Sequence, residues 1–530
     1  MLQSKESRRF MLQLAKSSAD FDWSHLNWIH LDSAKSSPVV QSPIPSCGCQ
    51  GGASSRAGAR AGSPTSPAVS HASAVLSSYA RHRPTGRSMM KPASITVIVT
   101  DHWTRHWFER LILPTSRYGG ANIKFLDIAE CKTASEQANV VLQSLQREPG
   151  AACFACTDSA MLAYAAAVEM LSINESGGIP VGANFECFWL TNNKLACRDL
   201  LPSCNDIRHA AVRASDRFLP DLGVDGFFFK LKPLSDCGAA GVFRYPTSGS
   251  GASPTVQNPK YLQQCALNAD DAITAYAQRC SDLSAYSDPN IVGIVEEYVD
   301  PQNRRSVVSI DGFVCRGEVF HFCISDNVYK VDDPDKFDSL VSPSQRLSEC
   351  EIRACWAKYD AVLADLLARG VDNQFVDVEA FVLASPPDGI ANTPVEVRTM
   401  EVNCRTFCNQ MPIFSRLFGG ESGEGCMFSA AVDLLLGSKP PISQCFATKV
   451  VIPCDSSQNV TACRHVGVCA YAPLLAGCPS LVESESRDAT YYGVDGFPAH
   501  VYVVSAEGEA AARQRCDDFY AELRTKFANS

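Results

Sequence analysis

Glu379, Glu401, Asn403 and Arg405 are the residues of this chain best placed to do chemistry together. They lie in FVDVEAFV (375–382) and MEVNCR (400–405), two alternating apolar runs separated by a polar loop. Side chains alternate faces along a strand, so Glu401, Asn403 and Arg405 share one face while Val402 and Cys404 turn to the other, towards packed protein. Oxygen donors on adjacent strands beside a guanidinium suit a hard cation loaded with a phosphate, because Mg²⁺ takes oxygen ligands and shares them with substrate phosphates. The competing reading is a surface hairpin with a solvated polar face.

The elements that must position these groups occupy a long chain. Its 530 residues suggest about three or four domains. A hydrophobic content of 46% and a charged content of 20% are those of a soluble globular protein. Charge is unevenly spread: residues 1–92 hold 11 Lys+Arg against 4 Asp+Glu, and the remainder holds 36 against 53, a net charge of −17. Such a surface repels nucleic acid. There is no secretory leader, and no apolar run reaches the roughly 18 residues of a spanning helix, so neither a membrane nor an oxidising compartment is expected. The 24 cysteines sit singly in apolar runs such as FHFCI, as reduced core thiols do, and the expected location is intracellular and cytoplasmic. Cys153 and Cys156 form a CxxC and Cys47 and Cys49 a CxC, without the second pair of a zinc site.

Residues 1–92 read as a disordered leader. No acidic residue occurs from Ser33 to Thr100, and Ser, Ala, Gly, Pro and Arg dominate. Leu2, Phe10, Met11 and Leu14 beside Lys5, Arg8, Arg9 and Lys16 fit a plastid or mitochondrial transit peptide, although Glu6 and Asp20 do not; a dispensable tail is the other reading. From residue 93 to 185 the runs SITVIVT (94–100), IKFLDI (123–128) and ACFACT (152–157) alternate with helix-period stretches, which predicts a parallel α/β domain, with IPVGAN (179–184) as its last strand. A helix follows around TNNKLACRDLL.

Phe227 to Leu231 reads as a buried strand ended by Pro233, and Ser235 to Gly241 as a loop of small residues able to lay backbone N–H groups on phosphate oxygens, with Lys230 or Lys232 adding charge. After a Ser/Gly/Pro-rich insertion and an amphipathic helix near Asp270 to Leu283 comes the strand IVGIVEEYV (291–299). SVVSIDGFV and GEVFHFCIS then form a strand pair, with turns expected at Asp311-Gly312 and Arg316-Gly317. A helix from Ser348 to Arg369 leads to the chemical stretch, helical CMFSAAVDLLLG closes at Gly437, and 441–530 form a small C-terminal α/β segment with the strands KVVIPC and HVYVVS.

Taken in order, these pieces resemble the ATP-grasp superfamily, and within it the carboxylate-amine ligases that join amino acids. The resemblance implies an α/β fold, α+β in its central part: an ATP-grasp domain of two α+β lobes over 186–440, with a nucleotide lid around 225–300. It implies that Lys194 in NNKLACRDLL is the first ATP lysine and Lys232 the second, with Lys230 beside it and Gly238, Ala239 and Gly241 in the phosphate loop. IVEEYV resembles the adenine hinge, with Glu296 as side-chain contact and Glu297 and Val299 as main-chain contacts. Glu379, Glu401 and Asn403 would hold magnesium, with manganese as its substitute, and Arg405 would contact substrate or the phosphoryl group. Asp236 and Ala239 stand where such families commonly carry Gly and Ser, and the ribose contact is unassigned.

The implied reaction activates a carboxylate with the γ-phosphoryl of ATP and lets an amine attack the acylphosphate, releasing ADP and phosphate. Lys232 and Arg405 would be its catalytic cations, and the partners would be small carboxylic acids and amines, amino acids above all. A bicarbonate-activating enzyme of the biotin-carboxylase type and a non-catalytic ATP-binding regulator are the alternatives. The identity of the acid and amine is not written in any motif.

Overall fold

Placement in the computed structural model is described between residues 94 and 518, leaving out 1–93, most of 101–115, 175–184, 232–241, 247–282, 330–336, 385–393, 406–426, 441–461, 469–481, nearly all beyond 505 and shorter stretches; at 226–231, 242–246 and 462–505 only backbone pairing is described. The expected strand IPVGAN, the phosphate loop, most of the helix near Asp270 and the strand KVVIPC lie outside the described residues.

The first layer is the parallel α/β arrangement that the alternation predicts. β1 (Ser94–Val99) is buried at every position and lies between β2 (Asn122–Asp127) and β3 (Ala152–Ala155), both parallel to it. A central strand covered on both faces must be apolar throughout, as SITVIV nearly is. Helix α1 (Ala134–Arg147) starts where the Thr133 hydroxyl accepts from the Glu136 N–H, and it buries Ala138, Val141 and Leu145, a helical stripe. Helix α2 (Asp158–Asn174) is capped by Thr157 and buried from Ala160 to Val168, so it lies in the core with no wet face over that span.

TNNKLACRDLL divides into α3 (Phe185–Asn192) and α4 (Lys194–Leu200). The break falls at Asn193, whose side chain accepts from the Ala196 N–H and so starts a second helix at Lys194. A four-stranded antiparallel sheet follows, of β4 (His209–Arg213), β5 (Gly226–Leu231), β6 (Val242–Pro246) and β7 (Ile291–Glu297), ordered β4-β7-β5-β6. The aromatic run thus forms a strand directly beside the expected hinge.

The larger sheet begins with β8 (Arg304–Cys315), β9 (Glu318–Tyr329) and β10 (Phe337–Ser342) and continues through β11 (Gln374–Leu383) and β12 (Val397–Asn403). β13 (Ala462–Val468), β14 (Val482–Glu485), β15 (Ala489–Gly493) and β16 (Ala499–Ser505) extend it, in the order β12-β11-β8-β9-β10-β13-β16-β15-β14. Helix α5 (Glu349–Ala368) packs on it through Cys355, Trp356, Tyr359, Val362, Leu363 and Leu366. Its start is fixed by Glu351, which accepts from both the backbone N–H and the hydroxyl of Ser348 at 2.7 and 2.6 Å. Helix α6 (Met427–Leu435) ends at Gly437, which has a φ of 67°. One buried cluster joins α1, α2 and α3 to Val308, Ile310, Val376, Val378, Val402 and Cys404 of the larger sheet.

One expected turn is corrected. Asp311-Gly312 lies inside β8, at a register shift against β9, and the hairpin turns only at Arg316-Gly317, where φ is 56° and 78°. Gly312 is there because of close approach: an added Cβ would stand 2.4 Å from both the Phe320 carbonyl oxygen and the Tyr359 hydroxyl. Gly312→Ala is therefore expected to lower stability by about 1–3 kcal/mol, read as an earlier denaturant midpoint at unchanged slope.

Candidate active site

The register of three strands builds the site. Glu379 on β11 lies opposite Glu401 on β12 and Ser309 on β8, and one step along the same face Asp377 lies opposite Asn403 and Asp311. The other face sends Val378, Val402, Ile310 and Cys404 into the core, as alternation requires. The acids are therefore held by a rigid apolar backing. Asn403 Nδ2 donates to Asp377 Oδ2 at 3.1 Å, and Lys194 Nζ, from the first residue of α4, bonds Glu401 Oε1 at 2.7 Å. Arg405 meets Asp158, the first residue of α2, through Nε to Oδ1 at 2.5 Å and Nη2 to Oδ2 at 2.6 Å.

Five carboxylates thus face two cations, and burial decides who keeps a proton. Burial pushes Glu379 up to about 8, helped by Asp377 and Glu401 and opposed by Lys194 and Arg405. Asp311 and Asp377 are pushed well above the usual carboxylate range, by burial first and then by Glu379 and by Asp311 respectively. Asp311 Oδ2 and Asp377 Oδ1 have no hydrogen-bond partner. Burial alone would lower the Lys194 ammonium, but Glu401, then Glu296 and Glu379, outweigh it and raise it. The cluster holds two ion pairs, Lys194 with Glu401 and Arg405 with Asp158, beside three carboxyls whose pKa burial raises.

Glu379, Glu401 and Asn403 form an all-oxygen donor set, which fits a hard divalent cation, and the raised Glu379 marks a place short of positive charge. Among the described residues no three His, Cys, Asp or Glu side chains already converge as a metal cage. Glu401 in particular is held by Lys194.

The nucleotide side is placed by backbone. Lys230 lies on β5 opposite Ile294 of β7, while Lys232, Gly238, Ala239 and Gly241 fall outside the described residues. Glu296 is not set out as a ligand contact: it is 2% exposed, and its Oε1 accepts from Arg198 Nε at 2.9 Å. The Glu297 carboxylate accepts from Arg398 at 3.3 Å while its N–H donates to the Arg208 carbonyl at 2.8 Å, and the Val299 carbonyl accepts from Arg304 at 2.6 Å.

Arg198 was not among the expected site residues, yet it ties the parts together. Besides Glu296, its guanidinium donates to the carbonyls of Cys204 at 2.9 Å, Thr399 at 2.6 Å and Met400 at 2.9 Å. It thus fastens α4 to β7 on one side and to β12, next to Glu401, on the other. Burial opposes its charge, but Glu296 outweighs that and its pKa is raised. A signal was available, since Arg198 stands four residues after Lys194 and therefore on the same helix face. Asp377 was legible too, two residues before Glu379 on one strand face. Asp311 was hidden by an Asp-Gly that imitates a turn, and Asp158 carried no signal, its partner being 247 residues away.

No family model matches the chain, and no curated protein matches it. Solved structures do. An L-amino acid ligase from Bacillus licheniformis matches with a TM-score of 0.50 at 14% identity, over 82% of this chain and 98% of that one. A carboxyaminoimidazole ribonucleotide synthase from Aspergillus clavatus, complexed with ATP, matches at 0.50 and 10% identity over 82% and 99%. A Rhizobium etli pyruvate carboxylase matches at 0.51 and 14% over 81% of this chain and 37% of its own. At such identities the likeness is one of fold.

Two outcomes are expected. Arg198→Met should cost about 3–5 kcal/mol, because Glu296 is left buried without its cation, and chemical denaturation measures it. The second concerns Glu379, whose pKa of about 8 lies above the ordinary 4.5. The folded, metal-free protein then holds a proton that the unfolded chain releases, so this group's contribution to stability falls as pH rises from 4.5 through about 8. Mg²⁺ binding at pH 7 should release about one proton, and the release should fade above pH 8 and vanish in Glu379→Gln. Calorimetry in two buffers of different ionisation heat reads it.

Proposed function

We propose that this chain, which has the ATP-grasp fold, is an ADP-forming carboxylate-amine ligase whose acid and amine are amino acids. The observation that carries the reading is the pairing of Glu379 with Glu401 on one sheet face, with Lys194 bonded to Glu401 and Arg405 beside Asn403. A carboxylate is a poor electrophile, and the γ-phosphoryl group of ATP cures that. The acid's oxygen forms a bond to phosphorus as the bond to the ADP oxygen breaks; the amine, having lost a proton, then attacks the carbonyl carbon and phosphate leaves. Transfer of this kind is catalysed by positioning and by neutralising charge on the oxygens.

Glu379, Glu401 and Asn403 would hold magnesium, which would supply a divalent charge at those oxygens. Lys194, which bonds Glu401, supplies the ammonium that would neutralise a phosphate oxygen beside it. Arg405 holds its guanidinium towards the phosphoryl group as it passes to the carboxylate. Lys230, Lys232 and the loop residues Gly238, Ala239 and Gly241 take the remaining phosphate charge, and the main-chain groups of Glu297 and Val299 other than those bonded to Arg208 and Arg304 take the adenine edge. The division into 93–185, 186–440 and 441–530 belongs to the same proposal, with the nucleotide between the two central sheets. A cytoplasmic location, or an organelle if residues 1–92 direct import, belongs to it as well.

The test is ADP release from Mg-ATP with the twenty L-amino acids offered singly and in pairs, with bicarbonate as control. Amino-acid-dependent release with an amide product is expected. Glu401→Gln should lower ADP release and product together by about 10²- to 10³-fold, since it removes one unit of charge from the metal ligands. Release with bicarbonate alone, or with no acid at all, would overturn the reading.

A further inference from the structure

We infer that Asp158, contributed by the first layer, is the positioning residue of Arg405 and sets the direction in which its guanidinium meets the transferred phosphoryl group. The inference rests on the ligase reading. Asp158 and Arg405 are 247 residues apart in sequence, and their side chains are each 13% exposed. The two bonds, 2.5 and 2.6 Å, run in parallel from Nε and Nη2 to the two carboxylate oxygens. A bidentate pair fixes the plane of a guanidinium as well as its position, which a single bond does not.

The base from which Asp158 acts is rigid. It opens α2, whose cap is Thr157 and whose next turns are buried, and an anion at a helix N-terminus sits in a favourable field. The alternative partners of Arg405 are the acids of the site. Its charge is felt by Asp311, Asp377 and Glu379, and its Nη2 lies 3.5 Å from Asn403 Oδ1. Without the Asp158 charge the guanidinium is drawn into that acidic face and occupies the ground meant for a metal. Asp158 therefore holds Arg405 beside the carboxylates and not among them.

Binding of Mg-ADP, alone and with fluoroaluminate as a mimic of the phosphoryl group in transfer, tests this. In the unaltered protein fluoroaluminate should tighten Mg-ADP binding. Asp158→Asn should leave Mg-ADP affinity within about twofold and reduce the tightening by about 10- to 100-fold, with Asp158→Glu recovering part of it. Combined with Arg405→Ala it should be no worse than Arg405→Ala alone, as expected of groups acting through one another. Tightening retained in Asp158→Asn but lost in Arg405→Ala overturns the inference and leaves the ligase reading standing. Loss of Mg-ADP affinity itself in Asp158→Asn overturns it as well, because the role is then structural. No tightening in the unaltered protein removes the ligase reading, and this inference with it.

Discussion

A single buried guanidinium, that of Arg198, holds the candidate site in register. Burying a charge costs several kcal/mol per ion, and the cost is recovered only where geometry is good and every donor finds an acceptor. Arg198 places four of its five N–H donors on one carboxylate and three carbonyls, from Glu296, Cys204, Thr399 and Met400. The acceptors belong to different elements, so these bonds form only when α4, β7 and β12 are all in place. Asp206 reinforces the same junction: it accepts from the Thr399 N–H at 2.8 Å and bonds Lys358 at 2.6 Å. Since Lys194 and Arg198 lie one turn apart on α4, the helix that clamps the strands also delivers the cation to Glu401.

That delivery explains how so acidic a face is tolerated. Asp158, Asp311, Asp377, Glu379 and Glu401 could not all be charged in an apolar setting beside two cations. Burial raises Asp311, Asp377 and Glu379, and what remains is two ion pairs. Lys194 and Glu401 thus neutralise each other at the edge of that face.

Much of this was legible in the sequence because period-2 alternation is a strict geometric rule. FVDVEAFV and MEVNCR could face a core only one way, and Glu379, Glu401 and Asn403 follow from that. The alternation of strands and helices after residue 94 likewise has one common solution, and the β2-β1-β3 parallel sheet is it. Other features had no local signal. Asp311-Gly312 has the chemistry of a turn, and only the Tyr359 hydroxyl and the Phe320 carbonyl, both distant in sequence or across a strand, require a glycine inside a strand there. Asn193 breaks a helix through its own side chain, which spacing of apolar residues does not register.

The polar ties that cross between elements were the least legible and are the most consequential for chemistry. Apolar clustering joins α2, α3, α5 and the larger sheet, but close packing of Val and Leu leaves a surface group free to rotate. Aiming a guanidinium to within a fraction of an ångström takes directional bonds. Arg198 and Arg405 obtain them on either side of the Glu401–Asn403 stretch in sequence: one from the carbonyls at Thr399 and Met400 and from Glu296, the other from Asp158 on α2. The strand that carries Glu401 and Asn403 is therefore fixed before Glu401 by the hinge side of the fold and after Asn403 by the first layer. A site assembled in this way depends on residues spread from 158 to 405, which is why no short motif contains it.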